Sequence, residues 1–335
     1  MNWDRDHLTA AEAARALGVT RATLYAYVSR GLIRSERGSG RARRYDSSDV
    51  AGLQQGARAA RPVLDTAITL ARDGRLYYRG RDATEIARDL SVREAAALIW
   101  QADPAASFAA DNLPDPIEHG AVLGSVPPAA RALALLQIAT AAEPVRADTN
   151  ADFFAYAGAR LLRFLTAAVA GVAPSARPIE AVLAEAWGLG REQRPLLRAA
   201  LILAADGGID AASHAARSAA TSGMPIWRAV GIGLAMLRLD TATGAVALFA
   251  GKDPRGGFLV AALAGPAGRI STAPPLEAAL MLLESRLGLP AGAAASLLLL
   301  GRSIGLVAHI AEALAAPRQP LPRGCYSGPP PPENP

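Results

Sequence analysis

Ala293–Gly301 is a run of alanine, serine, leucine and glycine without one charged, aromatic or β-branched side chain, and Arg302 closes it. Alanine and leucine lose little conformational freedom in a helix, whereas strands favour β-branched and aromatic residues, so such text folds as helix. The run stops well short of the ~18–20 apolar residues that cross a bilayer; it reads as a buried helix segment, and no membrane span is predicted. The same bias runs through the chain, with 51% of its 335 residues apolar and only 5% aromatic. That is enough apolar surface for a sizeable core, and a nearly all-α protein of one small and one larger domain is expected. Met1 leads into Asp4 and Asp6 with no apolar stretch behind a basic start, so no signal peptide is read and the cytoplasm is the expected compartment. The single Cys325 has no intramolecular partner and reads as a tail residue without a role, and four histidines without a C-x-x-C pair make no metal-ligand framework.

Charge divides the chain. Residues 1–61 hold eleven Arg against six Asp or Glu, whereas residues 62–335 hold 24 basic and 24 acidic side chains. Lys252 is the only lysine, so the arginine bias belongs to the whole chain and is not itself a sign of phosphate recognition. The asymmetry carries the information, because a small basic domain joined to a neutral one suggests contact with a polyanion.

Within the basic part, Thr9-Ala10-Ala11-Glu12 has capping-box spacing and opens a short helix to Leu17, with Gly18 as the turn. Thr20 caps a second helix with Leu24 and Val28 on its inward face, and Gly31 ends it. Arg21, Thr23, Tyr25 and Arg30 are left outside that face, residue types that contact phosphates and base edges from a major-groove helix. Two short extended pieces follow around Gly38-Ser39-Gly40, bearing Arg34 on one side and Arg43 and Arg44 on the other, and Asp46-Ser47-Ser48-Asp49 caps a last helix to Leu53. Residues 7–55 resemble a MerR-like winged helix-turn-helix domain. The resemblance implies double-stranded DNA as a partner through Arg21, Thr23, Tyr25, Arg30, Arg34, Arg43 and Arg44, although a docking or dimerising module accounts for the same pattern. Residues 1–55 are assigned to this domain, and the polar, glycine-bearing 56–62 to a linker ending at Pro62.

Beyond the linker, the text from Leu64 runs through Tyr78-Arg79-Gly80 to Ser91-Val92-Arg93-Glu94, the last a second capping box. Further on come Ala205-Asp206, Asp253-Pro254-Arg255, Leu287-Gly288-Leu289-Pro290, Gly301-Arg302, His309 with Glu312, and Pro322-Arg323 with Tyr326. In that order these segments resemble the citrate synthase family over residues 63–328, with Tyr78-Arg79-Gly80 at the centre of its N-terminal hairpin. The resemblance implies an all-α large domain, a small helical lid at about 180–275, a homodimer, and a CoA thioester as substrate or ligand with no permanently bound cofactor. The proline-rich 329–335 reads as a disordered tail.

Condensing an acyl-CoA with a 2-oxo acid needs a carboxylate base for a very weakly acidic methyl group and donors where enolate charge develops. Family members supply an aspartate and two histidines. In register with the histidines stand Gly207, inside Ala205-Asp206-Gly207-Gly208-Ile209-Asp210, and Ala242. A third, histidine-bearing loop ahead of Lys252-Asp253-Pro254-Arg255 is missing. Glu277 falls at the aspartate position, Arg302 matches a substrate-carboxylate arginine, and Leu321 replaces another for which Arg323 substitutes. His214 is placed on one helix with Gly207, two turns on, as a packed or partly exposed histidine, and His119 has no visible partner. Asp206 and Asp210, four apart, read as solvated carboxylates on one helical face. The expectation is therefore a catalytically impaired member of the family, acting as a regulatory subunit or in a heteromer with an intact citrate synthase paralogue. An active citrate or 2-methylcitrate synthase and a DNA-binding regulator with a ligand-sensing domain are the alternatives.

Overall fold

The computed structural model describes residues 7–29, 33–37, 43–47, 49–50, 66–72, 74–108, 113–116, 123–140, 150–237, 253–265 and 273–316. Arg30, the 56–62 linker, His119, Ala242, Lys252, Arg323, Cys325 and the 329–335 tail lie outside the described residues. The chain divides into two compact units, Met1–Asp65 and Thr66–Pro335.

In the first unit, β1 (His7–Thr9) leads into α1 (Ala10–Leu17), then α2 (Arg21–Ser29), β2 (Ser35–Arg37) and β3 (Arg43–Asp46). Thr9 and Glu12 form the expected capping box, and Gly18 takes the left-handed conformation (φ 67°) that ends α1. Thr20 Oγ1 accepts from Thr23 N at 3.2 Å, which fixes the start of α2. The strands form an antiparallel sheet in the order β1-β3-β2. β1 is the element that sequence reading omits; three residues are too short to show a period, and pairing with β3 is what makes them a strand. Ala13, Leu24, Ile33, Tyr45 and Val50 fill the core of this unit.

The second unit opens on an antiparallel sheet, β4 (Thr69–Arg72), β5 (Arg75–Tyr78) and β6 (Arg81–Asp82). Gly74, not Tyr78-Arg79-Gly80, lies in the turn of the β4–β5 hairpin; Arg79 and Gly80 turn the chain into a third strand instead. Helices follow: α3 (Ala83–Asp89), α4 (Val92–Trp100), α5 (Pro104–Ser107), α6 (Pro128–Ala139), α7 (Ala151–Ala170), α8 (Ile179–Ala186), α9 (Arg194–Leu203), α10 (Ala211–Thr221), α11 (Ile226–Ala235), α12 (Pro254–Ala264), α13 (Leu276–Leu287) and α14 (Ala293–Ala315). α4 carries the expected Ser91–Glu94 capping box.

α14 is the axis of this unit, packed against α4, α6, α7, α9, α10, α11 and α13. It runs through Arg302 without a break, so the nine-residue apolar stretch is the first part of a 23-residue helix. α7 and α14 are long and apolar enough to cross a membrane by length and composition, but the relevant windows are 78% and 89% buried, which makes both core helices here. Leu297, Leu300, Ile304, Val307 and Ile310 of α14 are at most 1% exposed, each contributing roughly 1.5–3 kcal/mol of transfer free energy. Trp100 Nε1 donates to the Ile304 carbonyl at 2.9 Å, pinning α4 to the same helix.

Candidate functional site

Small residues bring α14 against the segment that ends α9. A Cβ on Gly301 would lie 2.7 Å from the Leu201 carbonyl, and one on Gly305 would lie 2.7 Å from Asp206 Oδ1 and nearer still to the Ala205 carbonyl. Gly305 N instead donates to that carbonyl at 3.0 Å. Arg302, between the two glycines, is thereby set against Asp206, which is fully buried.

Asp206 is saturated with donors. Oδ1 accepts from Arg302 Nη1 at 2.7 Å, Oδ2 from Thr69 Oγ1 at 2.6 Å and Gly208 N at 3.1 Å, and His309 Nε2 lies 3.2 Å from both oxygens. Burial alone pushes this carboxyl up; His309, Arg302 and the Thr69 hydroxyl outweigh burial and hold it well below the usual carboxylate range. Arg302 sends its other terminal nitrogen, Nη2, to Asp210 Oδ2 at 2.6 Å. Asp210 Oδ1 accepts from Ser213 N while its own N–H donates to Ser213 Oγ, both at 2.8 Å, so the same residue caps α10.

This geometry overturns the reading of Asp206 and Asp210 as solvated carboxylates on one helix. Gly208 adopts φ 75°, a left-handed conformation that glycine tolerates, and the helix starts only at Ala211. Gly207 therefore precedes α10 and does not share a helix with His214, which is exposed. His309 turns chiefly to Asp206; its Nδ1 stands 3.9 Å from Glu312 Oε2. Glu312 is engaged by Arg217 Nη1 at 2.9 Å and by the Ala67 N–H at 2.8 Å.

Gly207 and Arg302, joined in sequence only by resemblance, are neighbours: a Cβ on Gly207 would lie 3.2 Å from Arg302 Nη1 and 3.5 Å from Asp210 Oδ2. Glu277 is half-buried in the first turn of α13, the helix whose start a second clamp anchors. Asp253 Oδ1 accepts from Arg255 N and Nε, and Oδ2 from Arg255 Nη2 at 2.8 Å and Leu276 N at 3.2 Å, so one carboxylate caps α12 and anchors α13. Arg255 lies within electrostatic reach of Glu277 and Tyr78. Tyr78 in turn donates to the Leu203 carbonyl at 3.1 Å, and its fully buried hydroxyl is pushed well above the usual tyrosine range, by burial first.

Sequence reading passed over Thr69, Tyr78, Asp206, Asp210, Asp253 and Arg255 as site residues. An Asp-Pro pair opening a helix is a local cap signal that could have singled out Asp253 and, two residues on, its partner Arg255; Thr69, Tyr78, Asp206 and Asp210 meet partners about ninety residues or more away.

In the first unit, Arg21, Arg43 and Arg44 are exposed and Tyr25 is 52% exposed. Thr23 Oγ1 is held by Thr20 Oγ1 at 3.0 Å. The guanidinium of Arg34, expected to meet DNA, closes on Asp49 at 2.9 Å and 3.0 Å and on Asp46 at 3.0 Å, so it ties the wing to the start of the last helix. That contact, led by the hydrogen bond itself, lowers the Asp49 pKa.

The helix-turn-helix domain family matches residues 8–58. No curated protein matches the chain. Among solved structures it is similar to citrate synthase from Thermotoga maritima MSB8, at TM-score 0.61 and 18% identity, over 81% of this chain and 94% of that one. Citrate synthase from Pyrobaculum aerophilum matches at TM-score 0.61 and 16% identity, over 88% of this chain and 95% of that one. The Thermoplasma acidophilum enzyme, in ternary complex with carboxymethyl coenzyme A and oxaloacetate, matches at 0.53 and 16%, over 81% and 95%. The chain has a citrate synthase fold with an N-terminal helix-turn-helix domain.

Proposed function

We propose that this protein has lost independent condensing activity and serves in the cytoplasm as a regulatory or heteromeric partner subunit, a homodimer by itself or paired with an intact citrate synthase. The observation that carries this reading is the position of Gly207. It stands over Arg302, where a donor side chain would meet a bound keto acid, and it has none to offer. Ala242 is the second position without a donor. Glu277 remains as a carboxylate in the aspartate's place, with Arg302 and Arg323 as the substrate-carboxylate arginines. The Thermoplasma protein of this fold holds carboxymethyl coenzyme A and oxaloacetate, so a CoA thioester and a 2-oxo dicarboxylate are the ligands to try.

Each missing acid–base or oxyanion donor lowers rate by about 10²–10³, and such losses do not simply add. Thiol release from acetyl-CoA or propionyl-CoA with oxaloacetate is expected at least about 10³-fold below that of a histidine-bearing synthase. Turnover within about tenfold of such an enzyme would sink the proposal.

A second reading, DNA-binding regulation, is favoured by the exposed Arg21, Tyr25, Arg43 and Arg44 on α2 and β3. Replacing Arg43 and Arg44 together by alanine is expected to weaken binding across sequences and to reduce the salt slope by about 2. Absence of binding to any genomic fragment at low salt refutes it.

A further inference from the structure

Arg302 is a buried arginine with a carboxylate on each terminal nitrogen, and the two carboxylates differ in kind. Asp206, on Nη1, is fully buried and held by three further partners. Asp210, on Nη2, keeps 25% of its side chain exposed, against 5% for Arg302. Asp210 is therefore the solvent-side cover of the guanidinium. Above the pair stands Gly207, partly exposed and without a side chain, so the approach to Nη2 is blocked by Asp210 itself.

We propose that Asp210 is an internal occupant of the Arg302 site: its carboxylate fills the place of a ligand carboxylate, and the site takes a carboxylate ligand only when Asp210 is displaced. This rests on the reading of Arg302 as a retained ligand arginine. Two features support it. The contact is a short, charge-assisted bond at 2.6 Å, the kind an arginine makes with a bound carboxylate. Asp210 also divides its oxygens, Oδ1 capping α10 and Oδ2 holding Arg302, so it can release the arginine without uncapping the helix. A tethered carboxylate competes at an effective concentration in the millimolar range or above, so a free carboxylate at lower concentration is excluded.

The full-length chain and Asp210→Asn are titrated with oxaloacetate by calorimetry at low ionic strength. Asparagine keeps the cap oxygen and the volume but loses the charge. Asp210→Asn is expected to bind at least about tenfold more tightly than the wild type. Asp103→Asn, which neutralises the N-cap carboxylate of α5, is expected to leave affinity unchanged. Equal affinity in wild type and Asp210→Asn, no binding by folded Asp210→Asn, or the same gain in Asp103→Asn overturns the proposal. Should Asp210→Asn melt below the assay temperature, Asp210→Ser, which also caps but is too short to reach Arg302, takes its place with the same outcomes. Efficient thiol release by the wild type would sink the impaired-catalysis reading without touching this result, and equal affinities would sink this inference without restoring catalysis.

Discussion

Asp206→Asn is the most informative single change to the buried network. The substitution is isosteric, so no cavity term enters. One oxygen still accepts from Arg302, but the amide NH₂ that replaces the other faces the Gly208 N–H at 3.1 Å, donor against donor. An unsatisfied buried donor costs roughly 1–3 kcal/mol, and breaking a buried ion pair by removing one partner about 3–5 kcal/mol. The two overlap, because Asp210 still serves Arg302, and about 3–5 kcal/mol at pH 7 is the expected loss. At roughly 2–4 °C per kcal/mol for a unit of this size, Tm falls by about 6–20 °C. Tryptophan fluorescence in a urea titration follows the change, since Trp100, Trp187 and Trp227 all lie in the second unit. The pH dependence supplies the decisive sign. Asp206 is depressed in the fold, so its contribution is complete above the unfolded carboxylate pKa near ~4 and fades as pH drops below it. The gap between wild type and variant should therefore narrow toward acid. A difference below about 1 kcal/mol at pH 7, or one that does not narrow on acidification, refutes the account of Asp206 as the charged centre of the cluster.

Gly305→Ala places a methyl group against the Ala205 carbonyl, which is backbone, and against the Asp206 side chain, which its own hydrogen bonds hold in place, so it has nowhere to go. A loss of about 1–3 kcal/mol or more is expected in the same urea titration, and a neutral result would mean that α14 is not closely packed there. Tyr78→Phe removes the hydrogen bond to the Leu203 carbonyl and should cost about 1 kcal/mol at pH 7. Because the Tyr78 hydroxyl is raised in the fold, its stabilisation is intact below the unfolded tyrosine pKa near ~10 and is lost as pH climbs beyond it. The wild type should thus destabilise more steeply than Tyr78→Phe above that pH, and parallel alkaline limbs in a denaturation series would count against it.

The elements that could be read from the sequence are those whose partners lie three or four residues away. Thr9 with Glu12 and Ser91 with Glu94 form their capping boxes because the bonds close within one helical turn, whatever the rest of the chain does. The turn at Gly18 and the helical cast of the Ala–Leu runs are local in the same sense. Asp206 was misread for the opposite reason: Thr69, Arg302 and His309 stand 137, 96 and 103 residues away, and an i, i+4 spacing to Asp210 carries no hint of them. Only the packing of α14 through Gly301 and Gly305 brings these groups together. Sequence alone determined that positions 207 and 242 carry no side-chain donor, since glycine and alanine have none in any fold. The tertiary structure decided how Arg302 is neutralised, because a guanidinium buried to 5% exposure must be met by whatever carboxylates lie within reach, and here they are the chain's own Asp206 and Asp210.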